Sequence, residues 1–177
     1  MSRPTASRVA SASLGDRPLL ALVVRFLLVF AGLFGALVWL GAHSGFVAGV
    51  EVETARAAAL LMNLTGVTAI RVGTLISLPG RVLNIGPECT GLTIVVLLTA
   101  LVLAYPVRFS SRVVGVLLGT VAILGANLVR LVTIAHVSGA PDAVFMTLHD
   151  FLFQVVMVGV AVAVWACWLA YARTRES

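Results

Sequence analysis

From Leu19 to Leu40 the chain runs for 22 residues with Arg25 as its single charge. About 20 apolar residues, at roughly 1.5 Å each, cross the hydrocarbon of a bilayer. Inside lipid every backbone N–H and C=O must find an internal partner, so such a run has to be helical. Longer runs follow at 113–137 and 144–171, and a shorter one at Leu92–Leu103 is expected to be helical from about Cys89 and to stop at Tyr105-Pro106. Composition agrees: 60% of the residues are hydrophobic and only 11% charged, against about 25% charged in soluble domains. The expected fold is therefore all-α and integral to a membrane, a polytopic bundle of about four to five spans forming one domain over 1–177. After a polar tail at 1–18, the predicted spans are 19–41, 89–105, 112–137 and 144–172, the second reaching across only with its first turn included. A cleaved signal peptide is the poorer reading of the first run, because such cores are about 7–15 residues long.

All 12 basic residues are Arg, against seven acidic ones. They are scattered between apolar runs and form no basic face for nucleic acid. With the N-terminus inside, Arg3, Arg8, Arg17, Arg108, Arg112, Arg173 and Arg175 fall on the cytoplasmic side, and only Arg56, Arg71 and Arg81 fall outside. That asymmetry predicts cytoplasmic termini and an extracytoplasmic segment at 42–88. Within it, residues 50–65 suit a helix at the interface or on the bundle. A fifth span there is the alternative, at odds with the charge pattern. Pro79-Gly80, flanked by β-rich runs at 72–78 and 81–85, predicts a short β-hairpin on the extracytoplasmic side.

Polar groups in an apolar chain are informative because a charge near mid-bilayer costs at least about 2.5–3.5 kcal/mol. Cys89 opens the second span, Arg130 lies late in the third with Asn127 on the same face, and His149 heads the fourth. The predicted topology puts all three at the outer boundary. Each has a plainer reading: a small buried hydrophobe for the cysteine, snorkelling for the arginine, an interfacial seat for the histidine. His136 is better read as structural. Glu88 and Asp150 either orient His149 or Arg130 or sit in interfacial water. Cys167 lies at the opposite end of the bilayer, too far from Cys89 for a disulfide. A helix start and a nearby cation favour a thiolate, an arginine can hold an oxyanion without losing its charge, and a histidine can hand a proton to a leaving amine. Together these residue types suit acyl transfer through a thioester, and they call for no cofactor or metal.

The run Glu88-Cys89-Thr90-Gly91-Leu92, then Asn127-Leu128-Val129-Arg130, then a histidine leading the next helix, resembles the exosortase/archaeosortase family over roughly residues 65–155. These are membrane cysteine transpeptidases unrelated in fold to the soluble sortases. The resemblance implies a catalytic triad of Cys89, Arg130 and His149, with Asn127, Glu88 and Thr90 around it. It implies as partners exported proteins carrying a C-terminal signal of the PEP-CTERM kind, made of a motif, one transmembrane helix and a basic tail. Cleavage at the motif would pass the acyl group to an acceptor connected with lipid or polysaccharide. The implied location is the inner membrane, among its lipids, with the active site facing outward. Thr90 stands where Ser or Ala is commoner, and the chain is shorter than the eight-span members, as in a compact subtype such as exosortase H. The alternative from another class is a non-catalytic polytopic scaffold or transport component whose Arg and His line a polar cavity.

Overall fold

The computed structural model describes residues 12–141 and 153–176. In chain order these form α1 (Ala12–His43), α2 (Phe46–Leu64), β1 (Ile70–Val72), β2 (Leu75–Leu78), β3 (Arg81–Asn84), a 3₁₀ turn (Pro87–Cys89), α3 (Leu92–Ala104), α4 (Phe109–His136) and α5 (Phe153–Glu176). Among the described residues, three helical stretches are long and apolar enough to cross a membrane: Leu19–His43, Phe109–His136 and Phe153–Arg175. This is a multi-pass helical membrane protein. The first part of the stretch expected as a span at 144–172, up to residue 152, lies outside the described residues.

The helix expected from about Cys89 begins at Leu92 instead. Gly91 stands between the 3₁₀ turn and α3 with φ +79°, a left-handed conformation that no right-handed helix can continue through. The remaining helix has 13 residues, about 20 Å of length, and is the shortest of the described α-helices. It is also the central one, in contact with α1, α4 and α5. Its inner face carries Leu98 and Val102, which pack with Ile123 of α4 and Met157, Ala161 and Trp168 of α5. Gly115 and Gly119, one turn apart on α4, make this close packing possible: a Cβ on Gly115 would collide with the Trp168 ring, and one on Gly119 with Leu98. The Trp168 indole N–H, which would otherwise be buried without a partner, donates to the Ser111 carbonyl at 2.8 Å.

The predicted hairpin is part of a three-stranded antiparallel meander, β1-β2-β3. The run read as one strand at 72–78 is broken by a turn at Gly73-Thr74, so β1 pairs back on β2 with Val72 opposite Leu75. Leu78 and Arg81 pair across Pro79-Gly80. There Gly80, at φ +84°, supplies the positive φ that a type II turn needs after its proline. Ile76, Leu78 and Leu83 turn inward and meet Ala55, Ala58 and Met62 of α2 and Leu131 and Ile134 of α4. The helix expected within 50–65 is thus α2, in contact with α4 and α1, its buried alanines packed with α4 and the sheet. Cys89 belongs to this second core, so the sheet, α2 and the end of α4 together fix its position.

Candidate active site

Cys89 is the last residue of the 3₁₀ turn and is 2% exposed. Its backbone is held from both sides. Its N–H donates to the Gly86 carbonyl at 2.9 Å, and its carbonyl accepts from Asn127 Nδ2 at 2.7 Å. Thr90, fully buried, donates its hydroxyl to the Pro87 carbonyl at 2.6 Å and accepts from the Leu92 N–H at 3.3 Å. Its role is to tie the 3₁₀ turn to the start of α3, satisfying one of the orphan donors every helix N-terminus carries. Gly91 matters twice, for its positive φ and because a Cβ there would lie 3.3 Å from the Asn127 side chain.

Asn127 and Arg130 stand three residues apart on α4, on one face, both buried. The Arg130 guanidinium donates to Asn127 Oδ1 at 3.4 Å. One amide, 38 residues from Cys89 in sequence, therefore joins the Cys89 backbone to the Arg130 side chain. Arg130 is 5% exposed, and its Nε is buried without a hydrogen-bond partner among the described residues. A buried donor left unpaired costs free energy, so this nitrogen calls for an acceptor from outside them. The family model for the transmembrane exosortase (EpsH) matches residues 8–169. The chain belongs to the transmembrane exosortase family. No curated protein and no solved structure matches it.

In this exosortase the structure brings Cys89, Asn127 and Arg130 together. His149 and Asp150 lie outside the described residues. Glu88 is exposed, with its carboxylate folded over Gly86, and makes no hydrogen bond or ion pair among the described residues. His136 is exposed, its ring Nδ1 2.9 Å from the Val132 carbonyl on its own helix, so it stands apart from the Cys89 group. No group of three His, Cys, Asp or Glu side chains among the described residues is placed to hold a metal.

Two features escaped the sequence. A cleft of about 830 Å³ runs between α2 and α4, walled by Phe46, Gly49, Val52 and Leu124, with Thr90 and Asn127 in its lining. The small residues Gly45, Ala48 and Gly49 were the available signal, but only the helix packing turns them into a concavity. The second is Arg81, whose guanidinium donates to the carbonyls of Ser138 and Ala140 at 3.3 and 3.2 Å. It ties β3 to the chain leaving α4, and nothing in its sequence neighbourhood announces that reach.

Proposed function

We propose that this exosortase is a membrane cysteine transpeptidase that cleaves C-terminal sorting signals of exported proteins at the outer face of the inner membrane. The observation that carries the reading is the Asn127 side chain, bonded at once to the Cys89 carbonyl and the Arg130 guanidinium. It connects the turn that bears Cys89 to a cation whose Nε has no acceptor among the described residues. In the reaction, the Cys89 thiolate attacks the scissile carbonyl carbon, and the carbonyl oxygen becomes an oxyanion received by Arg130. The C–N bond then breaks, and the amine leaves with a proton delivered by His149. The thioester is resolved when an acceptor nucleophile attacks it, giving its proton back to the histidine and releasing the thiolate. The cleft that reaches Thr90 and Asn127 gives an apolar segment beside the cleavage motif a place to lie.

The test is coexpression of each variant with a tagged substrate ending in motif, transmembrane helix and basic tail, followed on a gel. Cys89→Ala is expected to abolish processing and Cys89→Ser to come close, since a hydroxyl is far less acidic than a thiol. Arg130→Lys fails despite its charge, because an ammonium lacks the planar fork of donors. His149→Ala slows thioester formation by removing the proton donor. Asn127→Ala, which cuts both bonds of the bridge, lowers processing by roughly 10- to 100-fold, the worth of its one hydrogen bond to a charged group at about 1.5–3 kcal/mol. Cys167→Ala, on the exposed side of α5, leaves it intact. Full processing by folded Cys89→Ala would end the cysteine mechanism and leave a non-catalytic scaffold in its place.

A further inference from the structure

The meander ends in an open edge. β3 is the last strand in the order β1-β2-β3, so one of its sides carries no strand. The register decides which backbone groups point that way. The Ile85 N–H donates to the Thr74 carbonyl at 3.0 Å, while Leu83 and Arg81 stand opposite Ile76 and Leu78. Bonded pairs in an antiparallel ladder alternate with pairs whose backbone groups turn away. Ile85, Leu83 and Arg81 therefore bond toward β2, and the N–H and C=O groups of Val82 and Asn84 face outward. Neither residue has a backbone bond to another segment among the described residues, and both are exposed. We propose that this edge takes an extended stretch of the exported substrate as a fourth strand, a role that rests on the transpeptidase reading above.

β3 is also the strand that feeds the cysteine. Only Ile85 and Gly86 separate it from the Pro87–Cys89 turn, so Asn84 lies within about 18 Å of Cys89 even at full extension of the chain. A peptide paired with Val82 and Asn84 is held straight, within that reach of the turn, before its bond is cut. Adding a strand to an exposed edge draws affinity from main-chain bonds and specificity from alternate side chains.

The opposite edge is unlike it. Proteins blunt free edges with short strands and charged side chains. β1 has three residues, and its outward backbone groups belong to Arg71, whose guanidinium donates to the Gly73 carbonyl at 2.9 Å. Positions 82 and 84 carry neither charge nor proline. The composition of the partner follows from the face beside them. Ile70, Val72, Leu75 and Val82 share the outward face of the sheet and are all exposed. An added strand sets every second side chain on that face, next to Val82. Apolar residues at alternate positions of the substrate are the ones that gain cover there.

The experiment uses the full chain with the tagged substrate ending in motif, transmembrane helix and basic tail. Proline at 82 or 84 deletes one outward donor and leaves every bond to β2 in place. Val82→Pro and Asn84→Pro are each expected to raise KM about two- to tenfold, the worth of one hydrogen bond, with kcat unchanged. Val82→Thr, which keeps the N–H, and Arg71→Pro, on the other edge, behave as wild type. Unchanged KM in folded Val82→Pro and Asn84→Pro overturns the proposal, and so does an equal rise in Arg71→Pro. Amide hydrogen exchange gives a second readout that needs neither turnover nor the proline variants. In the Cys89→Ala chain saturated with uncleaved substrate, the Val82 and Asn84 amides are expected to exchange about tenfold more slowly, and the Arg71 amide at its former rate. Unchanged exchange at 82 and 84 overturns the proposal. Full processing by Cys89→Ala, with the wild-type chain still protected at these two amides by bound substrate, ends the cysteine mechanism and leaves the docking edge standing.

Discussion

At the scale of single residues, Gly91 shows how tightly the backbone around Cys89 is specified. It has to adopt φ +79° so that the 3₁₀ turn can end and α3 can begin within one residue, and it has to lack a Cβ so that Asn127 can reach past it to the Cys89 carbonyl. A left-handed conformation costs an alanine roughly 1–2 kcal/mol, and a 3.3 Å contact with Asn127 adds to that. Gly91→Ala is therefore expected to lower the thermal midpoint in detergent by several degrees and to depress processing further than the lost stability alone explains. An unchanged midpoint would mean the turn can be built another way. The grouping of Cys89, Asn127 and Arg130 was legible in the sequence, because polar side chains in apolar surroundings are costly enough to stand out. The occupation of the Thr90 hydroxyl was not. Whether such a group faces a substrate or caps a helix depends on φ at the next residue, and the spacing of side chains does not encode it.

At the scale of elements, the long helices could be read from hydropathy alone, and their observed ends at His43 and His136 fall within two residues of the expected ones at 41 and 137. The errors cluster where short-range geometry decides. α3 starts three residues late because a glycine interrupts it, and β1 was missed because three residues, Ile70–Val72, carry too little periodicity to announce a strand. The α2–α4 cleft and the Arg81 tie to the end of α4 arise from contacts between distant segments and have no local signature. The α4–α5 seam offers the cleanest test of packing. Gly115→Val puts two methyl groups where the Trp168 ring lies, and overpacking of this kind costs about 1–3 kcal/mol. It is expected to lower the thermal midpoint and to break the Trp168 bond to Ser111, seen as a shift in indole fluorescence. Gly125→Val, at a position on the same helix with nothing within 4 Å, is the matching control and is expected to be silent.

At the scale of the whole molecule, the arginine asymmetry predicts that both termini face the cytoplasm. In a background lacking Cys89 and Cys167, a Ser44→Cys variant, at the exposed turn between α1 and α2, is expected to react with an impermeant thiol reagent added from outside. A cysteine placed in the 105–108 turn is expected to stay protected until the membrane is opened. The reverse pattern would invert the bundle and move the Cys89 group to the cytoplasmic side.

The brevity of α3 has a consequence of its own. The helix is anchored at one end by Tyr105, in the belt of Trp165 and Trp168, and ends about 20 Å away at Leu92, whereas hydrocarbon is about 30 Å thick. α1 and α4, at 32 and 28 residues, are long enough to reach both boundaries; α3 is not. α3 alone therefore does not span the hydrocarbon, and the Cys89 turn before it is closed over by α2 and the sheet. For the function proposed above, a bilayer thicker or thinner than the protein's own would press on that cover, and processing in reconstituted vesicles of graded chain length is expected to vary with thickness.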